Sequence, residues 1–222
     1  MINGKEKDES KYKVEYLGEK RAEDLQTYKV IVLGLYGVGK ADIINKLMKK
    51  DADKQYEPTI SVDVKYFQVK VNDKLIQIQI WDTCGNDAFA LNTPNLFKNA
   101  SVAILIYAIN NKKSFNDLDN WHNMLLNNSY DHTIILIGNK NDLKKEREII
   151  IEDVETFKNN YDDIKMFFET SAKTGENIDK LLENIAISIY EKNENDEKNL
   201  EKAKTIKLCG EKHKIKKKKK FC

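Results

Sequence analysis

The residues best suited to chemistry form a glycine-rich loop that ends in a lysine. The letters GLYGVGK occupy residues 34–40, after the apolar run 30–33 and before a helical segment. Glycines let backbone N–H groups turn toward an anion, and the following helix N-terminus adds positive charge. In this strand–loop–helix context the pattern predicts a phosphate site, with a lysine against the terminal phosphates. The expected contacts are Gly34, Tyr36, Gly37, Val38, Gly39, Lys40 and Ala41.

The residue after this lysine departs from the phosphate-loop motif. The motif has Ser or Thr there, whose hydroxyl binds Mg²⁺, whereas this chain has Ala41. One magnesium ligand is therefore absent, and we expect water to replace it.

A second polar cluster points to the base of a nucleotide. Asn139, Lys140 and Asp142 follow the apolar run 133–137, and strand ends are where open α/β sheets bind ligands. The two oxygens of Asp142 can accept from guanine N1–H and its 2-amino group, which adenine does not offer. Unpaired polar groups would penalise the wrong base. A further element, Ser171-Ala172-Lys173, supports this interpretation.

The elements that position these residues alternate between strand and helix. The continuous apolar runs 30–33, 101–109 and 133–137 are typical of strands buried on both faces of a parallel sheet. Residues 62–66 and 76–80 alternate instead, and the turn 72–74 between them predicts a hairpin. An amphipathic stripe predicts a helix from residue 178 to 189. The prediction is an α/β fold of the P-loop NTPase class. Its doubly wound, mostly parallel sheet would have six strands, one of them an antiparallel edge strand.

Composition and charge exclude several classes of protein. Hydrophobic residues make up 41%, enough for a folded core, and the strongly apolar runs are too short to span a bilayer. Residues 207–222 hold eight Lys and one Glu, so a net charge of +2 for the chain leaves −5 on residues 1–206. A body of that charge does not predict nucleic-acid binding. Three cysteines without a pairing pattern indicate a reducing compartment, the cytoplasm.

At this point residues 28–190 resemble the Ras superfamily of small GTPases. The Rab branch fits best, from Trp81-Asp82-Thr83, from Ser114-Phe115 with Trp121, and from the segment 168–173. The resemblance implies a GTP/GDP switch with Mg²⁺ as cofactor. It also implies effectors that bind the switch loops, an exchange factor and a GTPase-activating protein.

The same resemblance implies roles for individual residues. Thr59 lies 18 residues beyond Ala41, as in the family, and would bind Mg²⁺ and the γ-phosphate. Asp82 would hold Mg²⁺ through water, and the Gly85 N–H would contact the γ-phosphate. The base would be held by Asn139, Lys140, Asp142, Ser171, Ala172 and Lys173.

Other departures from the family pattern concern hydrolysis. Tyr36 stands where the family keeps a small residue beside the γ-phosphate, and Asn86 replaces the Gln that orients the attacking water. Ala52 lies where an aromatic ring usually stacks on the base. We therefore expect guanine nucleotide binding with slow hydrolysis, carried by Asn86, Thr59 and Gly85. The alternative is a pseudo-GTPase, a protein-binding module that does not cycle.

The C-terminus predicts a membrane anchor. Lys216 to Lys220 precede Phe221 and Cys222, and a lipid chain next to a polybasic patch gives stable membrane attachment. The terminal cysteine resembles the prenylated end of Rab proteins, which implies the cytosolic face of an endomembrane and a role in vesicle transport. The other interpretations are a solvated charge run or a nucleic-acid patch.

These observations divide the chain into three parts. Residues 1–24 are expected to form a flexible charged extension, 25–192 the GTPase domain, and 193–222 a flexible basic tail. An ATP-using P-loop kinase or ATPase is a further alternative, against which Asp142 and the element 171–173 argue.

Overall fold

The structure, a computed structural model, describes residues 11–50, 62–84, 94–129 and 131–218. The strands in these ranges are β1 (Val14–Gly18), β2 (Thr27–Leu33), β3 (Val62–Val71), β4 (Lys74–Thr83), β5 (Ala100–Ala108), β6 (Thr133–Asn139) and β7 (Ile164–Glu169). The helices are α1 (Lys40–Leu47), α2 (Lys112–Asn116), α3 (Leu118–Asn128), α4 (Ile151–Asn159) and α5 (Ile178–Lys218), with 3₁₀ turns at Pro94–Leu96 and Asn141–Glu146. The predicted α/β class is confirmed.

The sheet has seven strands in the order β1-β3-β4-β2-β5-β6-β7. All neighbours from β4 to β7 in this order pair in parallel, and β3 runs antiparallel to both β4 and β1. The prediction of six strands with the antiparallel strand at the edge is therefore wrong in detail. An additional strand from the N-terminal segment covers β3, so the reversed strand lies inside the sheet.

The continuous apolar runs are buried on both faces of the sheet, as predicted. Along β5, Val102 and Ile104 pack into one core cluster, while Ala103 and Leu105 pack into the other. This alternation follows from the two-residue period of a strand. The first cluster also contains α1 and the start of α5, and the second contains α3 and α4. Helices therefore cover both faces.

The N-terminal segment, for which the sequence predicts a flexible extension up to residue 24, forms a strand of the sheet at Val14–Gly18. Backbone pairing joins Val14–Gly18 to residues 68–71 of β3, with an irregularity before Gly18. The Tyr16 hydroxyl donates to the Met48 carbonyl at 3.1 Å. The Asn72 side chain in the hairpin turn accepts from the Lys13 N–H at 2.9 Å. These contacts anchor a segment whose own sequence shows little hydrophobic periodicity.

A buried glutamine holds the next part of this segment. Gln77 is 1% exposed, although its position in an alternating strand predicts a solvated face. Its side chain accepts from the Ala22 N–H at 2.6 Å, and it donates to the Ala22 carbonyl at 3.0 Å and to the Thr27 hydroxyl at 2.7 Å. A buried amide must find such partners, since an unpaired one costs about 1–3 kcal/mol. Ala22 thereby shields Gln77 from water.

The last helix is longer than expected. Residues 178–189 follow the predicted stripe and bury Leu181 and Ile185. The helix α5 then continues to Lys218, past residue 193, where the sequence predicts the start of a tail. Beyond the domain core, Lys74 of the β3–β4 hairpin contacts Glu194 at 2.5 Å and Glu197 at 2.9 Å. Acidic residues of the predicted tail thus pair with the domain.

None of the helices in the described ranges combines the length and apolarity that crossing a bilayer requires.

A buried lysine, Lys29, lies at the start of β2. The Lys29 ammonium lies 3.8 Å from the centre of the Trp81 ring and donates to the Lys98 carbonyl at 3.2 Å. Burial lowers its pKa from 10.5 to about 8. Because the unfolded chain keeps this proton up to its ordinary pKa of 10.5, the unfolded state binds more protons between pH 8 and 10.5. The contribution of Lys29 to the free energy of unfolding therefore rises with pH across this window.

We predict that Lys29→Met reduces this pH dependence. Urea unfolding at several pH values from about 8 to 10 should give the wild type a more positive slope of unfolding free energy against pH than the variant. Lys113→Met, which removes an exposed lysine, controls for the loss of one charge. Equal slopes in wild type and Lys29→Met would contradict this assignment.

Candidate functional site

The glycine-rich loop connects β2 to α1 and packs closely on its neighbours. Gly34 has φ of +147°, and a Cβ there would lie 2.1 Å from the Ile106 carbonyl oxygen. Gly39 has φ of +93°, and its Cβ would lie 2.4 Å from Nδ2 of Asn139. Side chains are therefore excluded at both positions by conformation and by space. The loop backbone forms the concave cradle that the sequence predicts for a phosphate.

Lys40 begins α1 and folds back over this loop. Its ammonium donates to the carbonyls of Gly34 at 2.8 Å and Leu35 at 3.2 Å, and the residue is 6% exposed. Burial lowers the pKa of Lys40 to about 8, while the charges of Asp82 and Cys84 partly oppose that shift. A cation held in this way is preorganised to meet an anion in the cradle. The fit with a polyphosphate is good at this position.

Asn139 joins the phosphate loop to the other half of the site. It ends β6, is 1% exposed, and donates through Nδ2 to the Val38 carbonyl at 2.8 Å. Its Oδ1 accepts from the Ala172 N–H and from the Thr170 hydroxyl, both at 3.3 Å. One side chain therefore connects three segments that are far apart in sequence. Lys140 adds a second link by donating to the Gly37 carbonyl at 2.7 Å.

Asp142 is oriented by the element at residues 171–173. The Ser171 hydroxyl donates to its Oδ1 at 2.6 Å, and the Lys173 ammonium lies 3.9 Å from its Oδ2. Ser171 is completely buried, so its hydroxyl acts as a fixed support for the carboxylate. The carboxylate keeps further lone pairs with which it could accept two parallel donors, as guanine presents them.

All of the predicted base residues except the buried Ser171 line one cavity of about 400 Å³, within the size range of small-molecule sites. Its wall consists of Asp42, Lys46, Asn139, Lys140, Asp142, Leu143, Ala172 and Lys173. The structure thus brings together Asn139, Lys140, Asp142, Ala172 and Lys173, as the sequence predicted. Sequence reasoning missed Asp42, Lys46 and Leu143. The position of Asp42, three residues after Gly39 at the start of a helix, is the signal that could have identified it.

The end of the site that would hold a metal is narrower. A cavity of about 20 Å³, room for about one water, is bordered by Tyr36, Gly37, Gly39, Lys40, Ala41, Asp82, Thr83 and Cys84. Asp82 is 2% exposed, and Ala41 brings no oxygen. Among the residues with described positions, no group of three His, Cys, Asp or Glu side chains could hold a metal ion. Within the described ranges the site therefore offers Mg²⁺ the Asp82 carboxylate and no side-chain oxygen at residue 41, and the remaining ligands would be phosphate oxygens and waters.

Several predicted residues lie outside the described ranges. Thr59, Gly85 and Asn86, predicted for the metal, the γ-phosphate and hydrolysis, fall in the gaps 51–61 and 85–93. Ala52 falls in the first of these gaps, and Cys222 lies beyond residue 218.

Comparison with protein families identifies one match over most of this domain. The model of the Ras family matches residues 29–191, more than half of the chain. The matched range includes the phosphate loop, both cavities and the element at residues 171–173, and it begins after the N-terminal strand β1.

We predict that Asp142→Ala removes the discrimination between guanine and a base without the 2-amino group. Calorimetry on the wild type should show GDP binding more tightly than inosine diphosphate, because only GDP offers the carboxylate both donors. A hydrogen bond to a charged group contributes roughly 1.5–3 kcal/mol, so GDP affinity should fall by about tenfold or more in the variant. The two ligands should then bind alike. An undiminished preference for GDP in Asp142→Ala would show that another group reads the base.

Proposed function

Since the chain belongs to the Ras family, we propose that it is a Rab-like guanine nucleotide switch with slow intrinsic GTP hydrolysis. One observation carries this proposal: Asn139 donates to the Val38 carbonyl of the phosphate loop at 2.8 Å and accepts from the Ala172 N–H at 3.3 Å, next to the Ser171 hydroxyl that orients Asp142. A nucleotide bound here would place its phosphates at the loop and its base at Asp142. A direct test is to identify the nucleotide that copurifies with the folded chain, with and without Mg²⁺.

Guanine nucleotide is the ligand that family membership supports. The residues present also fit it: Gly39 and Lys40 border the narrow cavity, Asp142 lines the larger one, and Asn139 of the larger cavity bonds to the phosphate loop. When bound with Mg²⁺, the γ-phosphate supplies the anionic ties that order switch loops in such proteins. In this chain Lys40 would hold the terminal phosphates, Asp142 the base, and Thr59 and Gly85 the ordered loops.

Slow hydrolysis is proposed from three residues that the resemblance to the family places near the γ-phosphate. Ala41 offers no hydroxyl to Mg²⁺, and Tyr36, which is 52% exposed, stands at the mouth of the narrow cavity. Asn86 has a side chain about 1.5 Å shorter than Gln, one C–C bond. An error of about 1 Å in positioning costs roughly 10²-fold in rate.

A pseudo-GTPase is the second candidate, and the same narrow cavity favours it. If Ala41 and Tyr36 together prevent the γ-phosphate from ordering the switch loops, these loops would have the same conformation with GTP and with GDP. The chain would then bind its partners in that one conformation. Turnover of GTP separates the two candidates, since a pseudo-GTPase would retain nucleotide without hydrolysing it.

The proposed membrane role is based on the C-terminal residues and the resemblance to Rab proteins. Lys216 to Lys220 would attract anionic lipids with about 1 kcal/mol per lysine, and a prenyl group on Cys222 would supply the apolar anchor. This arrangement would place the switch on the cytosolic face of an endomembrane in vesicle transport. Effectors, an exchange factor and a GTPase-activating protein are the proposed partners, and nucleic acid is not.

We predict that Asn86→Gln accelerates single-turnover hydrolysis by about 10- to 100-fold, because the longer amide can orient the attacking water. Adding Ala41→Ser should make GDP release depend more strongly on Mg²⁺, since the hydroxyl restores one metal ligand. Asn116→Gln, on an exposed surface of α2, is the matched control. A wild type that already hydrolyses GTP as fast as Asn86→Gln would overturn the proposal of slow hydrolysis.

We predict that Cys222→Ser releases the chain from membranes when it is produced in cells with prenyltransferases. Cys209→Ser should stay bound, which separates loss of the anchor from loss of any thiol. Replacing Lys216 to Lys220 with Gln should weaken binding to anionic vesicles at low salt and remove most of its salt dependence. Full membrane recovery of Cys222→Ser would exclude the terminal thiol as the anchor.

A further inference from the structure

An acidic side chain lies beside the phosphate cradle. Asp42 is the third residue of α1, is exposed, and lines the 400 Å³ cavity together with Lys140 and Asp142. Its Oδ2 lies only 3.5 Å from the point that a Cβ on Gly39 would occupy. The carboxylate therefore lies next to the phosphate loop, on the side of the 400 Å³ cavity in which the nucleoside is proposed to bind.

The helix end next to Asp42 is the same one that would hold a phosphate. The first N–H groups of a helix have no acceptor within it, and they carry partial positive charge. The first backbone bond of α1 runs from the Ile43 N–H to the Gly39 carbonyl at 3.0 Å, and Gly39 provides no side-chain cap. The free N–H groups therefore precede Ile43, and that of Asp42 is one of them. A carboxylate and a phosphate compete for this positive helix end.

No described neighbour neutralises this carboxylate. Within the described residues Asp42 forms neither a hydrogen bond nor an ion pair, and Lys46, one turn later on the same cavity wall, does not pair with it. The Lys40 ammonium is engaged with the carbonyls of Gly34 and Leu35. The negative charge of Asp42 is therefore available to act on a ligand in the cavity.

We propose that Asp42 determines how tightly and how long the site holds nucleotide phosphates. This inference rests on the proposed binding of guanine nucleotide in this groove. The carboxylate repels the phosphate that lies nearest the ribose, and its negative charge offsets part of the positive potential of the helix end. The site consequently binds nucleoside diphosphates less tightly than its cradle alone would allow, and releases them faster. In this proposal Asp42 sets the affinity for nucleotide and its rate of release, while Asp142 recognises the base.

The experiment compares ligands with and without phosphate. GDP, GMP and guanosine are titrated into wild type, Asp42→Asn and Asp153→Asn, each at low and high salt. Asp153 is the matched control, because it is also an exposed acid at the third position of a helix, α4, and does not line the cavity. Its replacement has a comparable effect on a helix end without changing the charge of the site. Thermal unfolding followed by circular dichroism verifies that each variant is folded.

We expect Asp42→Asn to tighten GDP binding on the order of tenfold at low salt, the size of one like-charge contact near a protein surface. The gain should shrink at high salt, since screening weakens the repulsion. GMP should gain similarly, guanosine should be unaffected, and GDP dissociation should slow by a comparable factor. Asp153→Asn should match the wild type in each measurement.

Unchanged GDP affinity in Asp42→Asn would overturn the inference while leaving the proposed function intact. Weaker binding of both GDP and guanosine would also overturn it, because the carboxylate would then be accepting from the ribose hydroxyls. Binding by Asp42→Asn but not by the wild type would support it. An absence of binding in both proteins would overturn the inference and the proposed function together.

Discussion

The site depends on one buried amide, the side chain of Asn139. Its two ends satisfy groups from the phosphate loop and from the element at residues 171–173, at 2.8 Å and 3.3 Å. Removing the amide would leave a buried carbonyl or N–H without a partner, at a cost of about 1–3 kcal/mol for each group. The same amide nitrogen occupies the space that a side chain at residue 39 would need, 2.4 Å away. The position of the Asn139 side chain is therefore compatible only with a glycine at residue 39.

This connection sets the geometry between the two halves of the groove. The phosphate loop follows β2, and Asn139 ends β6, with β5 between these two strands in the sheet. Parallel strands bring their carboxyl ends to one edge, so three loops from different parts of the chain meet there. On the outer side, Arg147 binds both oxygens of Glu169 at 2.6 Å and 2.7 Å and also contacts the Asn141 side chain at 3.3 Å. The base-binding loop is thus supported from inside and outside.

Sequence patterns predicted the elements with a clear hydrophobic period and missed those held by polar contacts. The buried runs of β2, β5 and β6, the β3–β4 hairpin and the first turns of α5 are as expected. Strand β1 was missed because its position depends on contacts with distant residues, such as Asn72 and Met48, which no local pattern encodes. The extension of α5 was missed because its residues beyond 193 lack an apolar stripe, and part of it is held by ion pairs with Lys74.

The same distinction applies to the site. Spacing predicted Lys40, Asn139 and Asp142 as site residues, because the motifs that contain them are short and continuous in the sequence. It could not show that Ser171 is a buried support for Asp142, or that Asp42 faces the groove, because both facts require the fold.

Two residues that depart from the family pattern, Tyr36 and Ala41, lie where the fold tolerates change. Tyr36 is exposed and Ala41 is partly exposed, so replacing either one leaves the buried core and its hydrogen bonds in place. Asn139, Thr170 and Ser171 are buried and bonded to one another or to the loops they connect. A change among them would cost stability as well as ligand binding, since a partly satisfied buried network is unfavourable. A change at residue 36 or 41 can therefore alter the narrow cavity while the hydrogen bonds of Asn139, Thr170 and Ser171 stay in place. The residues predicted for the base are bonded within the folded core, and the two residues at the narrow cavity are not part of that buried network.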